Sequence, residues 1–159
     1  MYILQDFKNI KTIKIFWSLI IGNAYRAVFL FRLSSWFLNH HMRVFSTMFW
    51  SLNIALHSCD ITPSAKIGSG FSIAHSVGIV IGSGVVAGEN FQIYQNVTIG
   101  SRDSCEYPIL GDNVILYAGC AILGGIVIGD NAKVGANSVV INDVPDNSTA
   151  IGIPAKIFC

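Results

Sequence analysis

Charge is scarce in this chain of 159 residues, where ten Lys and Arg set against nine Asp and Glu leave a net charge of +1. No basic cluster with interleaved aromatics occurs in its repetitive part, so the electrostatic footprint of a nucleic-acid binder is missing and no nucleic-acid partner is expected. Cysteine is sparse too. Cys59, Cys105, Cys120 and Cys159 form no CxxC or Cys/His spacing, which excludes the usual zinc and redox frameworks and leaves free thiols in a reducing compartment. Long apolar runs are missing, although 52% of the residues are hydrophobic. The uncharged stretches Ile15 to Tyr25 and Val44 to Leu56 hold 11 and 13 residues, short of the ~20 needed to cross a bilayer. No short apolar region ends in a small-residue cleavage site, so no secretory signal and a cytoplasmic location are expected.

What is present is a period of six. Aliphatic residues run Ile61, Ile67, Ile73, then after a two-residue slip Ile81, Ala87, Ile93, Ile99, and after a longer insertion Leu110, Leu116, Ile122, Ile128, Val134, Val140. Four residues after each comes a second small or apolar position: Ala65, Phe71, Val77, Val85, Phe91, Val97, Val114, Cys120, Ile126, Ala132, Ser138, Val144. Both sets are expected to point inward. A fixed short period means stacked units, none of which buries its apolar face alone. The chain is therefore expected to be mainly β, a parallel β-solenoid of about four coils, each of roughly 18 residues. Gly and Asn between the apolar positions suit corners, because both tolerate positive φ.

Residues 1–57 lack the hexad and read as helices, two in number, ahead of a solenoid domain at 58–159 with a loop insertion at 101–108. Lys8, Lys11 and Lys14, then Arg26, Arg32 and Arg43, lie among many aromatics. That pattern fits peripheral contact with a membrane surface, on the cytoplasmic face of an inner membrane. The alternative is that the segment packs on the solenoid or on neighbouring subunits.

One histidine falls within the repeats. His75 follows inward Ile73 by two residues, at a corner and just before the slip, so its ring should face outward. Histidine titrates near neutral pH and can take a proton from an alcohol; equally, a lone surface His can be incidental. Asp60 lies 15 residues earlier, about one coil, and could accept the other imidazole N–H and so fix its tautomer; alternatively it caps the helix–solenoid junction. Gln95 occupies the corner one coil above, where it could touch an acceptor or only water. Cys59 and Cys105 are weak candidates for acyl carriers. No GxSxG elbow suggests a covalent route, and no metal site is expected. His40, His41 and His57 fall in the helical part and read as incidental. A non-catalytic solenoid platform is a reading from another class, but no outward Thr ladder supports an ice-binding face.

The run DITPSAKIGSGFSIAHSVGIVIGSGVVAGENFQIYQNVTIG (Asp60 to Gly100), continued by LGDNVILYAGCAILGGIVIGDNAKVGANSVV and GIPAKI (Gly152 to Ile157), resembles the hexapeptide-repeat, left-handed β-helix acyltransferases of the serine acetyltransferase branch. The resemblance covers about two thirds of the chain, and it alone implies the left hand, since parallel crossovers are usually right-handed. It implies acetyl-CoA as donor, a homotrimer, His75 as general base and Asp60 as its partner. It also implies a cofactor groove between chains lined by Gly100, Ser101, Ala118, Gly119, Ala136, Ala155 and Lys156. On the acceptor side it points to the positions of Ala74 and Tyr107, which join Gln95, read from its corner, as expected substrate-binding residues. Two features depart from serine acetyltransferases: Ala74 stands where they carry an acidic residue, and Glu106-Tyr107-Pro108 stands for their Arg-His-Pro. The run around Ala74, IAHSVGIVIGSGVVAGENFQIYQNVTIG, looks closer to acetyltransferases of colanic acid and capsule biosynthesis, so a sugar or polysaccharide hydroxyl is the acceptor expected first, and serine the alternative.

Overall fold

The structure, a computed structural model, describes residues 22–102 and 106–158. Lys8, Lys11, Lys14, Cys105 and Cys159 lie outside the described residues. Among the described residues, two antiparallel helices, α1 (Asn23–Asn39) and α2 (Arg43–His57), precede the solenoid. Neither has an internal Gly or Pro, and α2 stops where Ser58 takes a left-handed φ of 51° and its N–H closes on the Ile54 carbonyl at 2.9 Å, a common helix stop.

Three short strands make each coil. The first coil holds β1 (Cys59–Ile61), β2 (Lys66–Ile67) and β3 (Ser72–Ile73); the second β4 (Ile79–Ile81), β5 (Val86–Ala87) and β6 (Gln92–Ile93). The third holds β7 (Thr98–Gly100), β8 (Ile109–Leu110) and β9 (Ile115–Leu116); the fourth β10 (Ala121–Leu123), β11 (Val127–Ile128) and β12 (Lys133–Val134). A fifth coil goes beyond the expected four: β13 (Val139–Val140), a bridge from Val144 to Ile128, and β14 (Thr149–Gly152), on which β15 (Ala155–Phe158) folds back antiparallel. First, second and third strands stack as three parallel sheets.

Register turns the hexad into three internal ladders. Ile61, Ile81, Ile99, Ile122 and Val140 lie over one another on the first face, and Ile73, Ile93, Leu116, Val134 and Ala150 on the third. All are buried, and full burial of one such aliphatic side chain contributes about 1.5–3 kcal/mol. The partner of Val80 on the next coil is Thr98, 18 residues on, whereas Cys59 meets Ile79 after 20 and Thr98 meets Ala121 after 23. The excesses are the slip after Ile73 and the insertion after Gly100.

Because of the slip, one inward position was misplaced by the period. Val77 is 60% exposed, and Ile79 fills the place that Val97 takes one coil up. At another corner, Asn90, Asn113, Asn131 and Asn147 all adopt φ of 55–58°. Each amide donates to the next at 3.1 Å, which offsets the cost of the left-handed backbone.

The helices close the open end of the prism. Phe31 of α1 meets Phe71 edge to face at 6.1 Å, and Phe71 stacks on Phe91 at 5.5 Å. Arg32 is buried and donates to the carbonyls of Ile67 and Gly68 at 2.6 and 2.5 Å. It therefore fastens α1 to the solenoid and is not one of the outward cations that the sequence pattern groups with Arg43.

Candidate active site

The vertex between the third and first faces carries the candidate base. It is a column of corners, residues 74–78, 94–97, 117–120 and 135–138, tied by Asn96 N–H to the Val77 carbonyl, Gly119 N–H to the Gln95 carbonyl and Asn137 N–H to the Ala118 carbonyl, each at 2.9 Å. In the lowest corner two extra residues must be accommodated without breaking the inward register. The chain bulges outward, exposing His75 and Val77 while Ser76 is buried.

The bulge is anchored to the start of β1 by the Gly78 N–H, which donates to the Ser58 carbonyl at 2.9 Å. Asp60 follows two residues later on β1, half-buried and side by side with Val80. Its carboxylate accepts the indole N–H of Trp50, from α2, at 2.9 Å. No hydrogen bond joins Asp60 to His75, and His75 makes none among the described residues. The resemblance placed the imidazole against this carboxylate. The structure instead brings both to one end of the vertex, with Trp50 as the group that holds the acid.

Gln95 sits on the same vertex, one coil above the bulge, and its buried Oε1 has no hydrogen-bond partner among the described residues. An acceptor atom left in this state beside the base corner is available to an N–H or O–H of a ligand. Ala74, half-buried, borders a cavity of about 280 Å³ whose walls are Ala24, Tyr25 and Val28 of α1 with Phe71, Ser72 and Ile73. Trp50 is the residue that sequence reasoning missed here, and Tyr25 was not expected beside Ala74. The larger cavity, about 840 Å³ between α1 and the second face, is lined by Arg32, Trp36 and Lys66 and contains none of the expected site residues.

Tyr107 lies elsewhere. Its ring covers Gly82 and Gly84, where an added Cβ would come within 2.6 and 2.3 Å of it, and its hydroxyl accepts from Ser83 Oγ at 3.2 Å. That is the corner between the first and second faces of coil two. The two glycines open a slot that half-buries Tyr107, which anchors the insertion and is not beside His75 within one chain. Cys59 is also corrected: its side chain is fully buried and burial pushes its thiol up to about 12, as it does for Cys120. A thiol in that state supplies no thiolate.

The residues expected to line a cofactor groove fall on separate parts of one chain. Ala118, Gly119 and Ala136 share the His75 vertex. Gly100 and Ser101 leave the first face at its far edge, where the space around the Gly100 Cα is open. Ala155 and Lys156 belong to β15 at the end of the prism. One chain does not gather them into a single groove. No group of three or more His, Cys, Asp or Glu that could hold a metal is found among the described residues.

The fold and this vertex define a hexapeptide-repeat β-solenoid with a histidine-bearing corner, and residues 107–142 match the family model described as bacterial transferase hexapeptide (six repeats). More particularly, the chain is similar to serine acetyltransferases. It is 35% identical over 138 residues to that of Synechococcus elongatus, covering 85% of this chain and 57% of the relative. The soybean serine acetyltransferase complexed with serine superimposes with a TM-score of 0.84 at 35% identity, covering 89% of this chain and 59% of that one. A serine acetyltransferase in complex with CoA gives a TM-score of 0.83 at 35% identity, with 89% and 60% covered. The chain thus spans 57–60% of the length of these proteins.

Proposed function

We propose that this chain is an acetyl-CoA-dependent O-acetyltransferase in which His75 is the general base. A hydroxyl of the acceptor gives its proton to the imidazole as its oxygen attacks the thioester carbon. The C–S bond breaks, a C–O ester bond forms, and the departing sulfur takes the proton to leave as CoA thiol. A backbone N–H would hold the developing oxyanion. What carries the reading is the outward bulge that presents His75 on the same vertex as Gln95, Ala118, Gly119 and Ala136, with Asp60 at its base. The similarity to a serine acetyltransferase solved with CoA supports acetyl-CoA as donor. Because Gly100 and Ser101 lie away from the vertex within one chain, the complete site would form between subunits, and a closed homotrimer is the assembly we propose.

Serine is the acceptor best supported, since the similar proteins are serine acetyltransferases, one of them complexed with serine. The order of acceptors expected from the sequence is thereby reversed: none of these relatives carries a polysaccharide or capsule name. A sugar hydroxyl stays as the second reading because of Ala74. Its methyl group borders the cavity beside the base corner and puts no carboxylate there to pair with an amino group. Purified protein with acetyl-CoA, assayed for thiol release with serine and, separately, with a panel of free and nucleotide-linked sugars, tests both. Release with serine supports the first reading, release with sugars alone supports the second, and release with neither overturns acetyl transfer.

A further inference from the structure

Helix α2 is built inside out. The residues it buries are Ser46, Asn53 and His57, a polar stripe, and the Asn53 amide donates to the Ala27 carbonyl of α1 at 3.1 Å. Its apolar side chains face away: Val44, Met48 and Leu52 at successive four-residue steps are exposed, with Phe45 and Leu56 on the same side, and Val44 and Leu56 are 81% and 63% exposed. At 100° per residue these five fall within one arc of the helix. Phe45 and Phe49 both stack on Phe37 at 5.4 Å, which stiffens one edge of that face.

Charge is divided unevenly along the sequence. Between Phe7 and Cys59 the sequence has no Asp or Glu. Residues 1–57 carry six Lys and Arg and one acid, a net charge of +5; residues 58–159 carry four and eight, a net charge of −4, which together give the +1 of the whole chain. Exposed Arg43 opens α2 beside exposed His40 and His41. An apolar helix face that opens on an exposed cation, in a stretch of sequence with net positive charge, is complementary to one kind of surface: anionic lipid headgroups over acyl chains. No described helix is long and apolar enough to cross a membrane, so the contact would lie flat.

We infer that the exposed face of α2, centred on Val44, Met48 and Leu52, docks the protein on the surface of an anionic bilayer. The inference is independent of the acetyl-transfer reading. It is tested by co-sedimenting the full chain with vesicles of phosphatidylglycerol and phosphatidylcholine, against vesicles of phosphatidylcholine alone, at low and high salt. Binding to the anionic vesicles that weakens with salt is expected, with a loss of about tenfold or more in the triple variant V44S/M48S/L52S and in R43E. Light scattering should show the same assembly mass for each variant, and circular dichroism the same helix content. Failure of the wild-type chain to bind anionic vesicles overturns the proposal. So does a triple variant that binds them unchanged but falls to a smaller assembly, which would assign the face to a second copy of the chain.

Discussion

Trp50 donates its indole N–H to the carboxylate of Asp60 at 2.9 Å, joining the third turn of α2 to the first strand of the solenoid. The bond occupies Oδ1 and turns the acid at the base of the histidine vertex. In the proposed reaction Trp50 is a positioning residue, acting only through the carboxylate of Asp60.

Replacing Trp50 with Phe keeps the ring's apolar packing and removes the donor. A hydrogen bond to a charged group is worth about 1.5 kcal/mol, so if the orientation of Asp60 matters in the transition state, kcat should fall by roughly tenfold. The KM for acetyl-CoA should not change, because the Trp50 indole bonds Asp60 and none of the expected groove residues. Steady-state kinetics on W50F decide this; an unchanged kcat would reduce the bond to a structural strut.

His57 gives a pH dependence of stability. It is buried at the end of α2, both ring nitrogens lack hydrogen-bond partners among the described residues, and burial followed by the positive charge of Arg26 lowers its pKa below the ordinary 6.5. The unfolded chain therefore binds this proton more readily than the folded one. Stability from neutral His57 is present above about pH 6.5 and is lost as pH falls from there towards the lowered folded value. Urea melts at mildly acidic and neutral pH should show the wild type losing more stability on acidification than H57F. Equal losses would show that His57 does not titrate on unfolding.

The asparagine ladder can be tested at Asn113, which accepts from Asn90, donates to Asn131 and holds φ at 57°. Asn113→Ala loses the ladder bonds and replaces a side chain that tolerates the left-handed region with one that does not, a combined cost of about 2 kcal/mol. Asn113→Gly loses only the bonds and should cost about 1 kcal/mol. Denaturant midpoints will separate the two; a glycine variant no more stable than the alanine one would remove backbone conformation as the cause.

The solenoid was legible in the sequence because its physics is local and periodic. Ile81, Ile99 and Ile122 recur at the intervals that bury them, and the corner asparagines recur with them. The misread at Val77 shows the limit, since an insertion of two shifts the inward position to Ile79 and the period alone does not say where the excess is absorbed. The contacts that shape the site were not legible. Arg32 reaching the Ile67 carbonyl, Tyr107 filling the slot over Gly82 and Gly84, and Trp50 holding Asp60 each join elements whose mutual placement no repeat encodes. His75 was visible as the histidine that interrupts the pattern. Its isolation from hydrogen bonds, and the dispersal of the expected groove residues over one chain, emerge only in three dimensions.

The most direct measurement is thiol release from acetyl-CoA by wild-type protein and by His75→Ala, with serine and with sugar acceptors, each protein first checked for the same assembly mass. A fall of about a hundredfold or more with the fold intact is expected from loss of a general base. Turnover by the alanine variant at the wild-type rate would contradict the assignment of His75 and with it the proposed chemistry.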